Sequence, residues 1–273
     1  MNSSTFATPT IPTPGFGTYR LKGDDAKLAV ENALDVGYRH IDTAQAYENE
    51  AEVGDAISAS KISRGELFVT TKVWFDNLSA DKFITSVQNS LTQLNTDYVD
   101  LLLVHWPSPD NKVSMAEYLK ELKACKERGL TRHIGVSNFT QSQLDEALSI
   151  LGKDHILTNQ IEVHPNFQNK ELVAYCQRNN IQVTAYMPLG VGKVMENDIL
   201  NDIASAHDTT PSAVALAWLS HKKIVAIPSS TNVNHMRDNL TAKQMMLTAE
   251  EIEKIDGIEP QERIVDPDFA PDW

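Results

Sequence analysis

Four residues of this chain have the types needed to deliver a proton to a carbonyl oxygen: Asp42, Tyr47, Lys72 and His105. A phenol of ordinary pKa about 10 is a poor acid at neutral pH unless a nearby cation stabilises its phenolate. Lys72 is the candidate cation. Asp42 is the carboxylate that would hold the ammonium in place and charged, and His105 the donor that would polarise the carbonyl. Each residue alone also has a plainer reading: Asp42 as a helix cap, Lys72 as a solvated strand end, His105 as a satisfied strand-end histidine and Tyr47 as loop packing. The spacing favours chemistry, because Asp42, Lys72 and His105 follow three successive short apolar runs, and Tyr47 lies in the loop that leaves the first of them. Trp74 and Trp106 stand just beyond two of these run ends and would wall a substrate pocket that is apolar apart from the tyrosine and histidine.

The runs themselves are Tyr38 to Ile41, Leu67 to Val73, Val99 to Val104, His133 to Val136, Leu157 to Val163, Ile181 to Tyr186 and Ile224 to Ile227. Another at Gly15 to Tyr19 comes first, behind a lead punctuated by Pro9, Pro12 and Pro14 that reads as a short hairpin. Between them lie stretches of helical spacing, such as Ala26, Ala29, Ala33 and Val36, or Phe83, Val87, Leu91 and Leu94. Strict alternation of such units predicts a parallel sheet covered by helices, closed as a barrel or open and doubly wound. Nearly every run ends in a reactive or hydrogen-bonding residue: Asp42, Lys72, His105, Ser137 with Asn138, Gln160, Tyr186, and Ser229 with Ser230. An open sheet offers a crevice at one switch point, whereas a barrel gathers polar residues from many strands at one mouth. The expectation is therefore one α/β domain over residues 1–273, a (β/α)8 barrel with its site at the C-terminal mouth of parallel strands.

At this point the motifs become specific. The stretch Gly37-Tyr-Arg-His-Ile-Asp42-Thr-Ala-Gln-Ala-Tyr47-Glu-Asn-Glu50 resembles the aldo-keto reductase signature, as do Thr70-Thr-Lys72-Val-Trp74 and Asp100-Leu-Leu-Leu-Val-His105-Trp-Pro107. Gly135-Val-Ser-Asn-Phe139, Asn159-Gln-Ile-Glu-Val-His-Pro165 and Ile227-Pro-Ser-Ser230 follow in that family's order, so the resemblance covers essentially the whole chain. Within the family it is most similar to the short bacterial 2,5-diketo-gluconate reductases of B type, through Tyr98-Val-Asp-Leu and the ending Phe269-Ala-Pro-Asp-Trp273.

The resemblance implies hydride transfer from a nicotinamide and Tyr47 as general acid, acting with Asp42, Lys72 and His105. It implies that Ser137, Asn138 and Gln160 hydrogen-bond the nicotinamide carboxamide while Tyr186 stacks on the ring. Gly17, Thr18, Asp42, Pro188, Leu189 and Gly190 are further cofactor positions. The adenosine end would lie on Ser229, Ser230, Thr231, Asn232, His235, Asp238 and Asn239, where a helix N-terminus offers N–H groups to anionic oxygen. Here the chain departs from its relatives. Where many carry Lys directly after Ile-Pro and Arg a turn further on, it has Ser229 and His235. NADPH is expected over NADH by a reduced margin, NADH also being admitted, and the serines could instead be simple helix caps. The substrates implied are small aldehydes, methylglyoxal-like dicarbonyls and keto-sugar acids, with bulky steroids poor. The loop after Trp106 and the tail after Ile258 are short, which predicts an open pocket. The rival reading is a cofactor-binding redox sensor or interaction subunit.

Composition narrows the field further. The 273 residues are 41% apolar and 22% charged, enough to bury a sizeable core. With 24 Lys plus Arg against 37 Asp plus Glu, the net charge of −13 repels nucleic acid and anionic membranes in the absence of a basic cluster. Without signal-like or membrane-spanning stretches, a cytoplasmic monomer is expected. Cys125 and Cys176 read as buried reduced thiols, and no metal-ligand spacing is present, so no metal is expected. The catalytic Tyr-x-x-x-Lys of short-chain dehydrogenases is missing. Gly15-Phe-Gly17 supplies only part of a dinucleotide fingerprint, and Gly192-Lys193 lacks the upstream glycine of a phosphate-binding loop.

Overall fold

The structure is a computed structural model that describes residues 10–271. Strands and helices alternate along it. β1 (Phe16–Gly17) leads to α1 (Gly23–Val36), β2 (His40–Asp42) to α2 (Glu50–Ala59), β3 (Phe68–Val73) to α3 (Phe83–Gln93) and β4 (Val99–Val104) to α4 (Met115–Glu127). The second half continues with β5 (Thr131–Ser137), α5 (Gln141–Leu151), β6 (Ile156–Glu162), α6 (Lys170–Arg178) and β7 (Gln182–Tyr186). Two helices, α7 (Asp198–Ala206) and α8 (Pro211–His221), precede β8 (Val225–Ala226), and α9 (Val233–Thr241) and α10 (Ala249–Asp256) follow it. Strict alternation predicts one helix between β7 and β8. The chain makes two because Asp208 turns through a positive φ, Thr210 caps a new helix by accepting from Ala213 N–H, and Pro211 fits the first helical position.

The strands are parallel and lie in the order β1 to β8 in one eight-stranded sheet. Backbone bonds join its ends: Gly15 N–H donates to the Ala226 carbonyl at 2.9 Å and Gly17 N–H to that of Pro228 at 3.0 Å. A Cβ on Gly17 would lie 2.8 Å from the Ile227 carbonyl oxygen, so closure itself demands glycine there. This is the expected (β/α)8 barrel. The strand runs read from sequence all form strands at those places, with ends shifted by a residue or two.

Strands such as β4 are buried throughout because side chains on one face fill the barrel while those on the other meet the helices. Helix α1 shows the matching pattern: Ala26, Ala29, Val30, Ala33 and Leu34 face the sheet, and Gly37, at φ 114°, ends the helix with its N–H on the Ala33 and Leu34 carbonyls. Inside the barrel, Ile11 packs with Leu101, Leu103, Leu157 and Val225, and its N–H donates to Gln182 Oε1 at 3.2 Å. That finding corrects the hairpin expected of the proline-rich lead. Residues 10–15 contain no strand and instead plug the N-terminal end of the barrel, while Pro9 lies outside the described residues. Cys125 and Cys176 are buried free thiols that burial pushes up to about 12. Among the described residues no helix is long and apolar enough to cross a membrane, and no group of side chains is arranged to hold a metal ion.

Candidate active site

Asp42 ends β2, Lys72 is the penultimate residue of β3 and His105 immediately follows β4, so three neighbouring strands deliver three side chains to one mouth. Tyr47 arrives by a short 3-10 turn, Gln45–Tyr47. Gln45 holds that turn against the next strand end: its Oε1 accepts from Trp74 N–H and from Asn77 Nδ2, both at 3.0 Å.

At the centre lies Lys72, whose side chain has no solvent exposure. Its Nζ donates to Asp42 Oδ1 at 2.5 Å, to the Thr43 carbonyl at 2.8 Å and to the Tyr47 hydroxyl at 3.2 Å. The second Asp42 oxygen accepts from Gln160 Nε2 at 2.8 Å. The His105 ring stands edge-on to Tyr47 with centroids 5.5 Å apart, and Tyr19 covers the tyrosine from the other side at 5.2 Å. The four expected residues therefore meet, and the solvated-end reading of Lys72 is wrong.

Burial, then the Asp42 carboxylate and Tyr19, push the Tyr47 hydroxyl well above the ordinary phenol range. Burial pulls Lys72 downward, with Asp42 opposing. Burial and then the Lys72 charge hold His105 well below the ordinary histidine range, so its imidazole is neutral.

Beside this set, Ser137 Oγ donates to the Gln160 carbonyl at 2.8 Å. Asn138, at φ 63°, donates through Nδ2 to the His105 carbonyl and Ser137 Oγ and accepts the Tyr186 hydroxyl at 2.8 Å. These side chains line one side of the mouth, and the oxygens of Asn138 and Ser137 keep acceptor capacity for a planar amide. The residues present fit a nicotinamide carboxamide. Thr18 Oγ1 bonds the Asp42 carbonyl at 3.1 Å, fixing the loop after β1, and Pro188, Leu189 and Gly190 form the turn after β7, with Gly190 at φ 54° against the His164 ring.

The adenosine-end segment is the most exposed part of the expected site. Ser229, Thr231, His235 and Asp238 are exposed and Asn239 is buried. Helix α9 starts after Asn232, whose Oδ1 accepts from Asn234 and His235 N–H, while Ser230 Oγ bonds Asn232 N–H at 3.0 Å. Ser230 and Asn232 thus take the capping role, and they occupy N–H groups that an anion would otherwise use.

The pocket is less open than the short loops suggested. Phe269 of the C-terminal tail folds over it, with its ring 5.9 Å from Trp74, 4.9 Å from Phe75 and 5.4 Å from Trp106. Trp74 in turn lies 5.2 Å from His105. Nothing local marks Phe269 as a pocket residue, since it reaches the site from a segment distant in sequence; Asp272 and Trp273 lie outside the described residues. A surface groove of about 570 Å3 lies between α2 and α3, lined by residues such as Glu50, Glu52, Lys82 and Ser86.

Comparison with known proteins agrees with this geometry. A profile of the aldo/keto reductase family matches residues 14–260. The chain is 46% identical over 264 residues to methylglyoxal reductase DkgB of Escherichia coli O157:H7, covering 96% of this chain and 99% of that protein. It is 35% identical over 255 residues to glyoxal reductase of Bacillus subtilis strain 168, covering 93% and 91%. A crystal structure provisionally assigned as a 2,5-diketo-D-gluconic acid reductase B superposes with TM-score 0.92 at 40% identity, covering 96% and 94%. The aldose reductase of Schistosoma japonicum superposes at 0.91 and 29% identity, covering 96% and 95%.

Proposed function

The chain belongs to the aldo/keto reductase family and is an oxidoreductase that reduces carbonyl groups; from that premise we propose that Tyr47 is its proton donor, Lys72 and Asp42 its proton-supporting pair, and His105 the group that orients and polarises the carbonyl. One observation carries the assignment: a fully buried ammonium bonded at once to Asp42 and to the Tyr47 hydroxyl, with a neutral imidazole beside that hydroxyl.

Family members generally use NADP(H); Ser137, Asn138, Gln160 and Tyr186 would hold the nicotinamide, which would supply the hydride. The protein's own part is the proton. A carbonyl oxygen placed between Tyr47 and His105 gains negative charge as its carbon is reduced, and the Tyr47 proton then moves onto it. The phenolate left behind faces Lys72 at hydrogen-bond distance, so the ammonium matters most as charge develops. A neutral His105 can donate to the oxygen without adding a competing cation. The aromatic wall of Trp74, Trp106 and Phe269 keeps water from the reacting oxygen.

The substrate class follows from that wall and from the relatives. Small aldehydes, methylglyoxal and glyoxal fit a mouth crossed by Phe269, keto-sugar acids such as 2,5-diketo-gluconate form a second class, and bulky steroids are poor substrates. NADPH is the preferred cofactor by a modest margin, NADH being used less well. We place the whole chain in one domain that works as a cytoplasmic monomer. Cofactor oxidation followed with a panel of aldehydes, dicarbonyls and steroids tests the reading; turnover with none of them would leave the sensor alternative.

A further inference from the structure

Gln160 and Glu162 are two apart on β6, so both project to the same face of the sheet. Gln160 reaches Asp42 inside the barrel, and Glu162, one step nearer the mouth, has no side-chain exposure. A buried carboxylate needs strong donors. Those of Glu162 come from a segment a hundred residues away: Oε1 accepts the Ile264 N–H and Oε2 the Val265 N–H, both at 2.7 Å, and His164 Nε2 stands 3.1 Å from Oε1. The tail meets the same strand end further back, where Glu262 N–H donates to the Asn166 carbonyl at 2.8 Å. Beyond the carboxylate, Arg263 stitches the tail to itself through the carbonyls of Val265 and Pro271 at 2.9 and 3.2 Å. The chain then crosses from β6 to set Phe269 on Trp74 and Trp106 beside β3 and β4.

We propose that Glu162 is the positioning residue that clamps the C-terminal tail across the mouth, and that through Phe269 this clamp sets the size of carbonyl substrate admitted. Glu162 makes no hydrogen bond to Asp42, Tyr47, Lys72 or His105, and its register partner on β7 is Tyr186. Its two backbone bonds are charge-assisted and so are stronger than neutral ones. The specificity part rests on the reading of the mouth given above; the clamp itself does not.

Two variants test it from opposite sides. Glu162→Gln replaces one acceptor oxygen by a donor. Val265→Pro deletes one N–H from the tail and leaves the barrel residue intact, which guards against misfolding of the first. Hydrogen exchange read by mass spectrometry should be at least about tenfold faster over residues 259–271 in both, the loss of a bond to a charged group being worth that factor or more. KM for a long or branched aldehyde should change severalfold, with kcat for methylglyoxal within about twofold of the parent. In a Phe269→Ala background, Glu162→Gln should no longer alter the ratio between the two substrates. Unchanged exchange in both variants overturns the clamp. An equal fall in kcat for every substrate, or an undiminished effect in the Phe269→Ala background, overturns the route to specificity. A parent enzyme that turns over no carbonyl would defeat the functional reading alone, because exchange still reports on the tail.

Discussion

Lys72 binds Asp42 and Tyr47 through a single ammonium, and this coupling fixes how the site should respond to pH. Burial moves the two titrations in opposite directions, lowering Lys72 and raising Tyr47. As pH rises, the proton that supports the reaction is therefore lost first from the Lys72 end of the coupled pair, while the phenol keeps its own. The alkaline fall in carbonyl reduction is expected below the ordinary lysine range and should vanish from the residual activity of Lys72→Met; a limb that persists in that variant would separate Lys72 from the mechanism. On the acid side His105 is already neutral, so it should contribute no limb near its ordinary value. Tyr47→Phe deletes the donated proton and little binding surface. Its turnover should fall by about 10²- to 10⁴-fold with cofactor affinity, read by fluorescence titration, nearly unchanged. Retained turnover would refute the assignment of the donor.

At the level of elements, the proposed cofactor preference turns on helix α9. A 2′-phosphate carries close to two negative charges and calls for charge-assisted bonds, yet the start of α9 is already capped by Asn232 and offers Ser229 where a lysine would serve. His235 and Arg237 are exposed on its first turns. Parent kinetics should favour NADPH modestly. Ser229→Lys should raise the NADPH to NADH ratio of kcat/KM by about tenfold or more, the usual worth of a bond to a charged group. A ratio unmoved by that substitution would place the phosphate elsewhere. The seam between β1 and β8 makes a separate demand. Gly17→Ala sets a methyl 2.8 Å from the Ile227 carbonyl and should cost about 1–3 kcal/mol, visible as a lowered thermal midpoint. Loss of cofactor affinity with unchanged stability would instead make Gly17 a binding residue.

Over the whole molecule the net charge of −13 acts on every substrate that approaches. Neutral methylglyoxal is indifferent to it, whereas a keto-sugar acid is repelled until salt screens the field. With cofactor saturating, kcat/KM for 2,5-diketo-gluconate is expected to rise with ionic strength while that for methylglyoxal stays flat. A falling value for the acid would reveal a locally positive mouth. The same long-range view explains what was legible in advance. Asp42, Lys72 and His105 could be read as one site because parallel strands of a barrel all end at the same mouth, so three strand-end residues must converge whatever the loops do. Ile11 could not be placed that way, since an apolar residue among prolines carries no period, and only the open N-terminal end of the barrel shows why it is buried. The bonds of Glu162 to Ile264 and Val265, and the seat of Phe269 on Trp106, were invisible because they join residues a hundred or more apart in sequence, for which no local pattern exists. The sequence by itself determined the alternation, the barrel and the convergence of Asp42, Lys72 and His105 at one mouth, all of which rest on local periodicity and on residue type at strand ends. Tertiary structure alone decided that Lys72 is buried between Asp42 and Tyr47, that Asn232 caps α9 and that the tail lies across the mouth, because burial, competing hydrogen bonds and distant contacts arise only once the chain has folded.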